Sequence, residues 1–275
     1  MINILFGGNN KAFKGILLCL LSAIKHTSSP LNVYVLTADL TEINNNYNPI
    51  TNKQIELLNK VIQEKNKNSK VKLIKLNKNF NNWVMSSKNK FTFYTPFAFL
   101  RLFATEIKNL PNKIIYLDTD IMINDNLQKL FDIDISNYEL GVVKDRYGRF
   151  FINHNYFNSG MLLMNMEKLK QTNLFEKVKN TCLNRKMAFP DQSALNKHCK
   201  NKLYIPRKFN EQGKLREDTV IHHFCKKIKW LPFFHTINIK PWQIDDVRNK
   251  YKCFAYDDIY NQYEKLRRYH IEYDL

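Results

Sequence analysis

Short apolar runs alternate with amphipathic stretches along the first half of the chain. Ile2 to Phe6 is an apolar run that stops at Gly7-Gly8. A helical periodicity runs from about Ala12 to His26, and Asn32 to Thr37 is rich in strand-forming residues, which predicts a β-α-β start. Lys53 to Lys65 carries a helix period on a Lys/Asn/Glu background, and Val71-Lys72-Leu73-Ile74-Lys75-Leu76 alternates as a half-exposed strand does. Thr95 stands at a helix cap with Pro96 in the first position, and the helix runs on through Phe97, Leu100, Arg101 and Phe103. Lys113 to Leu117 then reads as an apolar strand. Farther on, Gly160 to Asn165 reads as a buried strand. Met166 to about Arg185 reads as one helix and Asp191 to about Cys199 as another, with short strand-like pieces after it.

Strands alternating with helices predict an α/β fold on a largely parallel sheet, in which ligands bind beyond the carboxyl ends of the strands. With 275 residues, 44% hydrophobic and 13% aromatic, the chain can bury a sizeable core without disulfides. No internal repeat or long linker interrupts it. From about Asp245 it becomes a polar-aromatic tail, partly helical, with Tyr251, Tyr256, Tyr260, Tyr263, Tyr269 and Tyr273 among Lys and Arg. The expected division is a main domain over 1–245 and a basic, aromatic appendage over 246–275.

Charge adds a constraint on partners. Lys and Arg number 43 against 25 Asp and Glu, a formal net charge of +18, which concentrates anions at the surface whether they are nucleic acid, lipid headgroups or phosphorylated small molecules. Nucleic-acid motifs of recognisable spacing are absent. Only 7 glycines occur, and neither G-x-G-x-x-G nor the P-loop pattern is present, which argues against dinucleotide oxidoreductases and P-loop phosphotransferases. The five cysteines (Cys19, Cys182, Cys199, Cys225, Cys253) are scattered and form no C-x-x-C, as expected of a reducing compartment. The apolar run Gly15 to Ile24 is too short to span a bilayer, so neither export nor a membrane span is expected.

Two constellations are candidates for chemistry, against the plain readings of a turn with solvated aspartates and of a structural or surface histidine pair. Asp118-Thr119-Asp120 follows the strand that ends at Leu117, and side chains two apart on extended backbone point the same way, so two carboxylates converge. A divalent cation removes their repulsion and can bridge to a diphosphate. His222-His223 follows the apolar Thr219-Val220-Ile221; neighbours on a strand face opposite sides, so one imidazole of the two can enter the same cleft. Two carboxylates and an imidazole suit Mn²⁺, with Mg²⁺ as the alternative. Phe157-Asn158-Ser159-Gly160, Pro190-Asp191-Gln192 and Lys240-Pro241-Trp242 have plain local readings as a turn, a helix start and a surface turn.

Taken together and in order, these segments resemble glycosyltransferase family 8, the retaining GT-A enzymes that include bacterial lipopolysaccharide galactosyl- and glucosyltransferases and glycogenin. The resemblance rests on an N-terminal strand with a small polar loop (Ile2 to Lys11), "FLRL" with Arg101, "YLDTD" (Tyr116 to Asp120), "FNSGMLLMN" (Phe157 to Asn165), "PDQSALN" (Pro190 to Asn196), "IHHF" (Ile221 to Phe224) and "IKPW" (Ile239 to Trp242). It implies a GT-A nucleotide-diphospho-sugar transferase fold, with a mixed, mostly parallel sheet flanked by helices. It implies Asp118, Asp120 and His223 as Mn²⁺ ligands and Arg101 and Lys240 at the diphosphate. Gly8, Asn9 and Asn10 would line the uridine pocket, and Thr119 would meet the ribose. Asn158, Asp191 and Gln192 would surround the transferred hexose, with Asp145 after the "LGVV" strand (Leu140 to Val143) on its hydroxyls; Asp191 and Gln192 would be the catalytic pair.

The activity so implied is transfer of galactose or glucose from a UDP-hexose donor to a hydroxyl of a glycan or glycolipid acceptor, in lipopolysaccharide or other cell-surface glycan synthesis. The location implied is cytoplasmic, with peripheral contact to an anionic membrane. The alternatives from other classes are a basic nucleic-acid-binding protein, and a nucleotide-sugar hydrolase or binding protein without transfer. Two departures from the family pattern stand out. Gly7-Gly8-Asn9-Asn10 lacks the usual uracil-facing aspartate, and Cys225 to Ile239 replaces a short glycine-containing loop.

Overall fold

The computed structural model describes residues 1–76, 78–91, 95–229, 233 and 235–269. Tyr273 and part of the stretch between Cys225 and Ile239 lie outside them. The chain begins β1 (Ile2–Gly7), α1 (Phe13–His26), β2 (Leu31–Thr37), α2 (Asn52–Lys65), β3 (Lys70–Lys75), as the periodicity predicts. A helix the pattern did not announce, α3 (Lys78–Ser86), follows in a Lys/Asn-rich stretch. It forms because Phe80 and Val84, four apart, share a buried face, and Trp83 packs edge-on against Phe99 and Phe103.

Thr95 makes no side-chain cap, and Pro96–Glu106 winds as a 3-10 helix rather than an α-helix. Its three-residue repeat stacks Phe97, Leu100 and Phe103 on one ridge and sets Arg101 on another between the small Ala98 and Ala104. Then come β4 (Lys113–Leu117), β5 (Ile121–Ile123), α4 (Gln128–Phe131), β6 (Leu140–Lys144), α5 (Gly148–Phe151) and β7 (Phe157–Asn165). The single helix expected from Met166 is broken into α6 (Met166–Gln171) and α7 (Leu174–Asn184). The break is at Asn173, which sits in the left-handed region at φ 53°, a conformation Asn tolerates. The chain ends α8 (Pro190–His198), β8 (Lys202–Tyr204), β9 (Ile221–His223), β10 (Lys227–Lys229), β11 (His235–Ile237), α9 (Ile244–Tyr251) and α10 (Asp257–Tyr269).

The central sheet has the order β3-β2-β1-β4-β7-β6-β8. Every neighbouring pair is parallel except those of β7, which runs against both β4 and β6. Side chains alternate between two cores: Ile4 and Phe6 of β1 join one with α1 and α2, whereas Leu5 joins the other with the 3-10 helix and α7. Such a sheet, covered on both faces, is the mostly parallel α/β architecture expected.

The tail belongs to the first of these cores. Tyr256, Ile259, Tyr260 and Tyr263 are buried, and α10 lies on α1. Residues 246–269 therefore help to build the core. At the other end of α1, Gly15 faces the Thr119 carbonyl so closely that a Cβ would overlap it and lie 2.7 Å from the Trp242 ring. Gly15→Ala gains about 1 kcal/mol of helix propensity but must push this backbone away. It should lower stability in urea unfolding by roughly 1–3 kcal/mol, opposite in sign to propensity; a gain in stability would show that Thr119 yields at no cost.

Candidate active site

Because β7 runs backwards, its first residues stand where β4 and β6 end. Asp118 extends the β4 ladder by one step, its N–H donating to Gly160 O at 2.7 Å. Asp120 is fixed by a different ladder. Its carbonyl accepts the Phe224 N–H at 2.9 Å beside the small β5–β9 sheet, in which Ile121 pairs with His223. Two separate hydrogen-bonded ladders thus hold the two aspartates. Gly160 keeps the space between Asp118 and His223 open: a Cβ there would overlap the His223 ring and lie 2.8 Å from Asp118 Oδ2.

The adjacent histidines divide as strand geometry requires. His222 is buried in the core, with Nδ1 2.8 Å from the Tyr256 hydroxyl and Nε2 3.1 Å from Gly213 O. Burial lowers its pKa to about 3, so it stays neutral at physiological pH. His223 turns into the cleft, with Nε2 3.1 Å from Asp120 Oδ1 and 3.9 Å from Asp118 Oδ2. One ligand atom from each of Asp118, Asp120 and His223 lies within 4.8 Å of the others.

Cationic side chains surround the pair. Arg101, 3% exposed, donates to Asp118 Oδ1 at 2.9 Å and to the Ser159 carbonyl, lies 3.4 Å from Asp191, and stacks 4.2 Å from the Tyr116 ring centre. Tyr116 donates to the same Asp118 oxygen at 2.8 Å. Lys240 Nζ lies 2.5 Å from Asp120 Oδ2. Burial alone would raise the Asp120 carboxyl, but Lys240 and then His223 outweigh it and hold Asp120 well below the usual range. For His223 burial opposes the charge, while the Cys225 sulfur and Asp120 push its pKa well above the usual value. Burial also raises the Cys225 thiol, so Asp120 is the lasting anion beside the ring. Burial raises the Asp191 carboxyl, against Arg101 and with the help of Asp118.

On the far side, Asp145 directly follows β6. Its Oδ1 accepts the N–H groups of Tyr147 and Gly148 at 3.0 and 2.6 Å, and its Oδ2 accepts from Asn158 Nδ2 at 3.0 Å. Gln192 Nε2 approaches the same Oδ2 at 3.4 Å, and Gln192 Oε1 accepts the Ser159 N–H at 3.0 Å. Gly8, Asn9, Arg101, Asp118, Thr119, Asp120, Asp145, Asn158, Asp191, Gln192, His223 and Lys240 all border one cleft of about 800 Å³.

Asn10 does not border it; its Oδ1 is held by Gln54 Nε2 at 2.6 Å. Sequence reasoning passed over Tyr116, Ser159 and Asn210. Tyr116 had a signal, lying two residues before Asp118 on the same strand face, whereas Asn210 sits alone in a loop without one. The long segment after Cys225 forms the β10–β11 hairpin, whose Ile228 N–H donates to the Tyr147 hydroxyl at 3.1 Å across the cleft. Among the described residues no helix is long and apolar enough to cross a membrane.

Known proteins share this fold. The galactosyltransferase LgtC, solved with donor and acceptor sugar analogs, superposes on 95% of this chain and 96% of that one with a TM-score of 0.69 at 16% identity. The glycosyltransferase GlyE of Streptococcus pneumoniae TIGR4 covers 95% of this chain and 63% of that one, with a TM-score of 0.64 at 19% identity. The fold is accordingly that of GT-A glycosyltransferases. In sequence, a putative glycosyltransferase of Haemophilus influenzae is 38% identical over 121 residues, 38% of this chain and 35% of that one. A lipopolysaccharide 1,2-glucosyltransferase of Escherichia coli K12 is 26% identical over 165 residues, 52% of this chain and 48% of its own length. The alignments thus span between a third and a half of these relatives. The profile of glycosyl transferase family 8 matches residues 3–246, and the chain belongs to that family.

Proposed function

We propose that the protein is a metal-dependent retaining glycosyltransferase that moves galactose or glucose from a UDP-sugar to a hydroxyl of a glycan or glycolipid acceptor. The observation that carries this reading is the convergence of Asp118, Asp120 and His223 beside Arg101 and Lys240 at the carboxyl ends of parallel strands. The donor set of two carboxylates and one imidazole, with the gap that Gly160 leaves open, fits Mn²⁺ or Mg²⁺. Bound there, the metal would supply positive charge at the leaving diphosphate.

The other roles fall to side chains already in place. Arg101 and Lys240 stabilise the negative charge that builds on the β-phosphate as the glycosidic bond breaks. Gly8 and Asn9 border the end of the cleft suited to the nucleoside, with Asn10 behind them, and Thr119 meets the ribose. Asp145, Asn158 and Gln192 hold the hexose hydroxyls and orient the anomeric carbon. Asp191 is engaged with Arg101, and the Gln192 carbonyl oxygen with Ser159 N–H, so neither is free as a nucleophile. That supports attack by the acceptor hydroxyl on the face the diphosphate leaves. The acceptor enters past Phe151 and Ile152, exposed at 66% and 55% on the rim.

We place the protein on the cytoplasmic side, with peripheral attachment to anionic lipid through its basic surface. The buried tyrosines of α10 are spent on the core, which leaves Lys265, Arg267 and Arg268 outward. In liposome co-sedimentation, binding should need anionic lipid and fall with salt; equal binding to neutral vesicles removes the membrane claim.

Release of UDP from UDP-galactose and UDP-glucose, with and without Mn²⁺ and acceptor, tests the main proposal. Turnover should require metal and rise with acceptor; release indifferent to every added glycan would mark a hydrolase. Asp120→Asn should keep the fold and lose about a thousandfold or more in turnover, roughly 4 kcal/mol; near-normal activity rules out the metal role. Gly160→Ala fills the gap between Asp118 and His223 and should weaken Mn²⁺ binding in titration calorimetry at least about tenfold, with the protein still folded. Unchanged affinity would show that the gap is not the site.

A further inference from the structure

One buried side chain joins the two halves of the cleft and belongs to none of the motifs. Asn210 is 0% exposed and follows the 3-10 turn Arg207–Phe209. Its Nδ2 donates to Asn158 Oδ1 at 2.9 Å, and its Oδ1 lies 3.0 Å from His223 Nδ1.

The polarity of this chain of amides is fixed from its far end. The Asp145 side chain presents acceptor oxygens, Oδ1 to two backbone N–H groups and Oδ2 to Asn158, so Asn158 turns Nδ2 toward it, at 3.0 Å. The backbone N–H of Gly160 can only donate, and it takes Asn158 Oδ1, also at 3.0 Å. Both partners select the same orientation of Asn158. Its oxygen then requires a donor from Asn210, which is Nδ2, and Asn210 is left presenting Oδ1 to the imidazole. An amide oxygen has no proton to give, so His223 carries its hydrogen on Nδ1. In the neutral ring the Nε2 lone pair therefore faces Asp118 and Asp120.

We propose that Asn210 is a positioning residue that holds His223 in the Nδ1–H tautomer and ties that tautomer to the donor-sugar residues Asn158 and Asp145. It touches neither metal nor sugar. The inference rests on the proposed function, since it assumes that His223 Nε2 binds metal and that Asn158 meets the hexose. Partners of this kind behind a ligating histidine are worth about 10- to 100-fold in metal affinity.

Two substitutions separate the two ends of the relay. Asn210→Asp still offers His223 an acceptor but confronts Asn158 Oδ1 with a second acceptor, and Asn158 cannot turn round without losing both Gly160 and Asp145. It should bind Mn²⁺ within about threefold of the wild type, while KM for the UDP-hexose rises about tenfold or more and UDP competes as before. Asn210→Leu, of similar volume, removes both contacts and should also weaken Mn²⁺ binding about 10- to 100-fold.

Mn²⁺ affinity is read by calorimetry without nucleotide near pH 8, and thermal unfolding without metal checks each fold. Wild-type Mn²⁺ affinity in Asn210→Leu overturns the proposal. So does an Asn210→Asp protein whose Mn²⁺ affinity and KM change together, and that split decides alone if Asn210→Leu does not fold. A wild-type protein that binds no Mn²⁺ overturns the proposed function as well. One that binds it, beside an indifferent Asn210→Leu, overturns the role of Asn210 only.

Discussion

Asp118 and Asp120 put two negative charges side by side where water is scarce, and much of the surrounding structure answers that repulsion. Burial favours protonation of Asp120, which would leave it useless for binding cations. The protein instead surrounds the pair with cationic and hydroxyl donors. Asp118 gives Oδ1 to Arg101 and Tyr116, and Asp120 gives Oδ1 to His223 and Oδ2 to Lys240. Asp118 Oδ2 remains facing His223 at the longer distance of 3.9 Å, on the side that Gly160 keeps open. Arg101 is itself almost wholly buried, a costly place for a guanidinium unless its donors are met. Asp118, the Ser159 and Ala98 carbonyls and the Tyr116 ring meet them.

The reversed strand makes this arrangement reachable. In an all-parallel sheet the residues beside the end of β4 would come from the ends of other strands, each followed by a loop toward a helix. With β7 antiparallel, Asn158, Ser159 and Gly160 enter the same rim at the start of a fully buried strand, where Asn158 pairs with Val143 and the Gly160 carbonyl accepts from Asp118, while the N–H groups of Ser159 and Gly160 go to the side chains of Gln192 and Asn158. A rigid strand can fix a side chain more closely than a loop can, which matters where reacting groups must be held to fractions of an ångström. Asp145, directly after β6, faces Asn158 across the β6–β7 ladder for the same reason.

Much of this was legible in the sequence because it depends on local pattern. Apolar runs of five or six residues ending in Gly7-Gly8 and in Asp118-Thr119-Asp120 give both the strands and the place where chemistry gathers. The two histidines could be divided because neighbours on a strand face opposite ways. What stayed hidden depends on distant contacts. The 3-10 winding of Pro96–Glu106 follows from burial on several sides rather than from propensity, since eight of its residues are buried. The break at Asn173 is a single backbone conformation within an otherwise continuous helical period. Asn210 gains its place only when β7, β9 and the loop between β8 and β9 meet, and no spacing in the chain encodes that meeting.

The tail shows how far a boundary drawn from composition can separate residues that work together. Lys240 reaches Asp120 from a turn whose Trp242 lies against Gly15 of α1, next to the Thr119 carbonyl. In the turn before α10 Tyr256 hydrogen-bonds His222, the residue before the cleft imidazole, while Ile259 and Tyr260 of α10 pack in the core that also holds α1. A displacement of α10 would therefore be felt at both ends of the aspartate pair, through Trp242 and α1 on one side and through β9 on the other. The family match ends at residue 246, just beyond Trp242, the last residue along the chain that borders the cleft. The packing that holds Lys240 and His223 at their distances continues beyond it, so the sequence past 246 acts on the cleft through the core rather than by entering it.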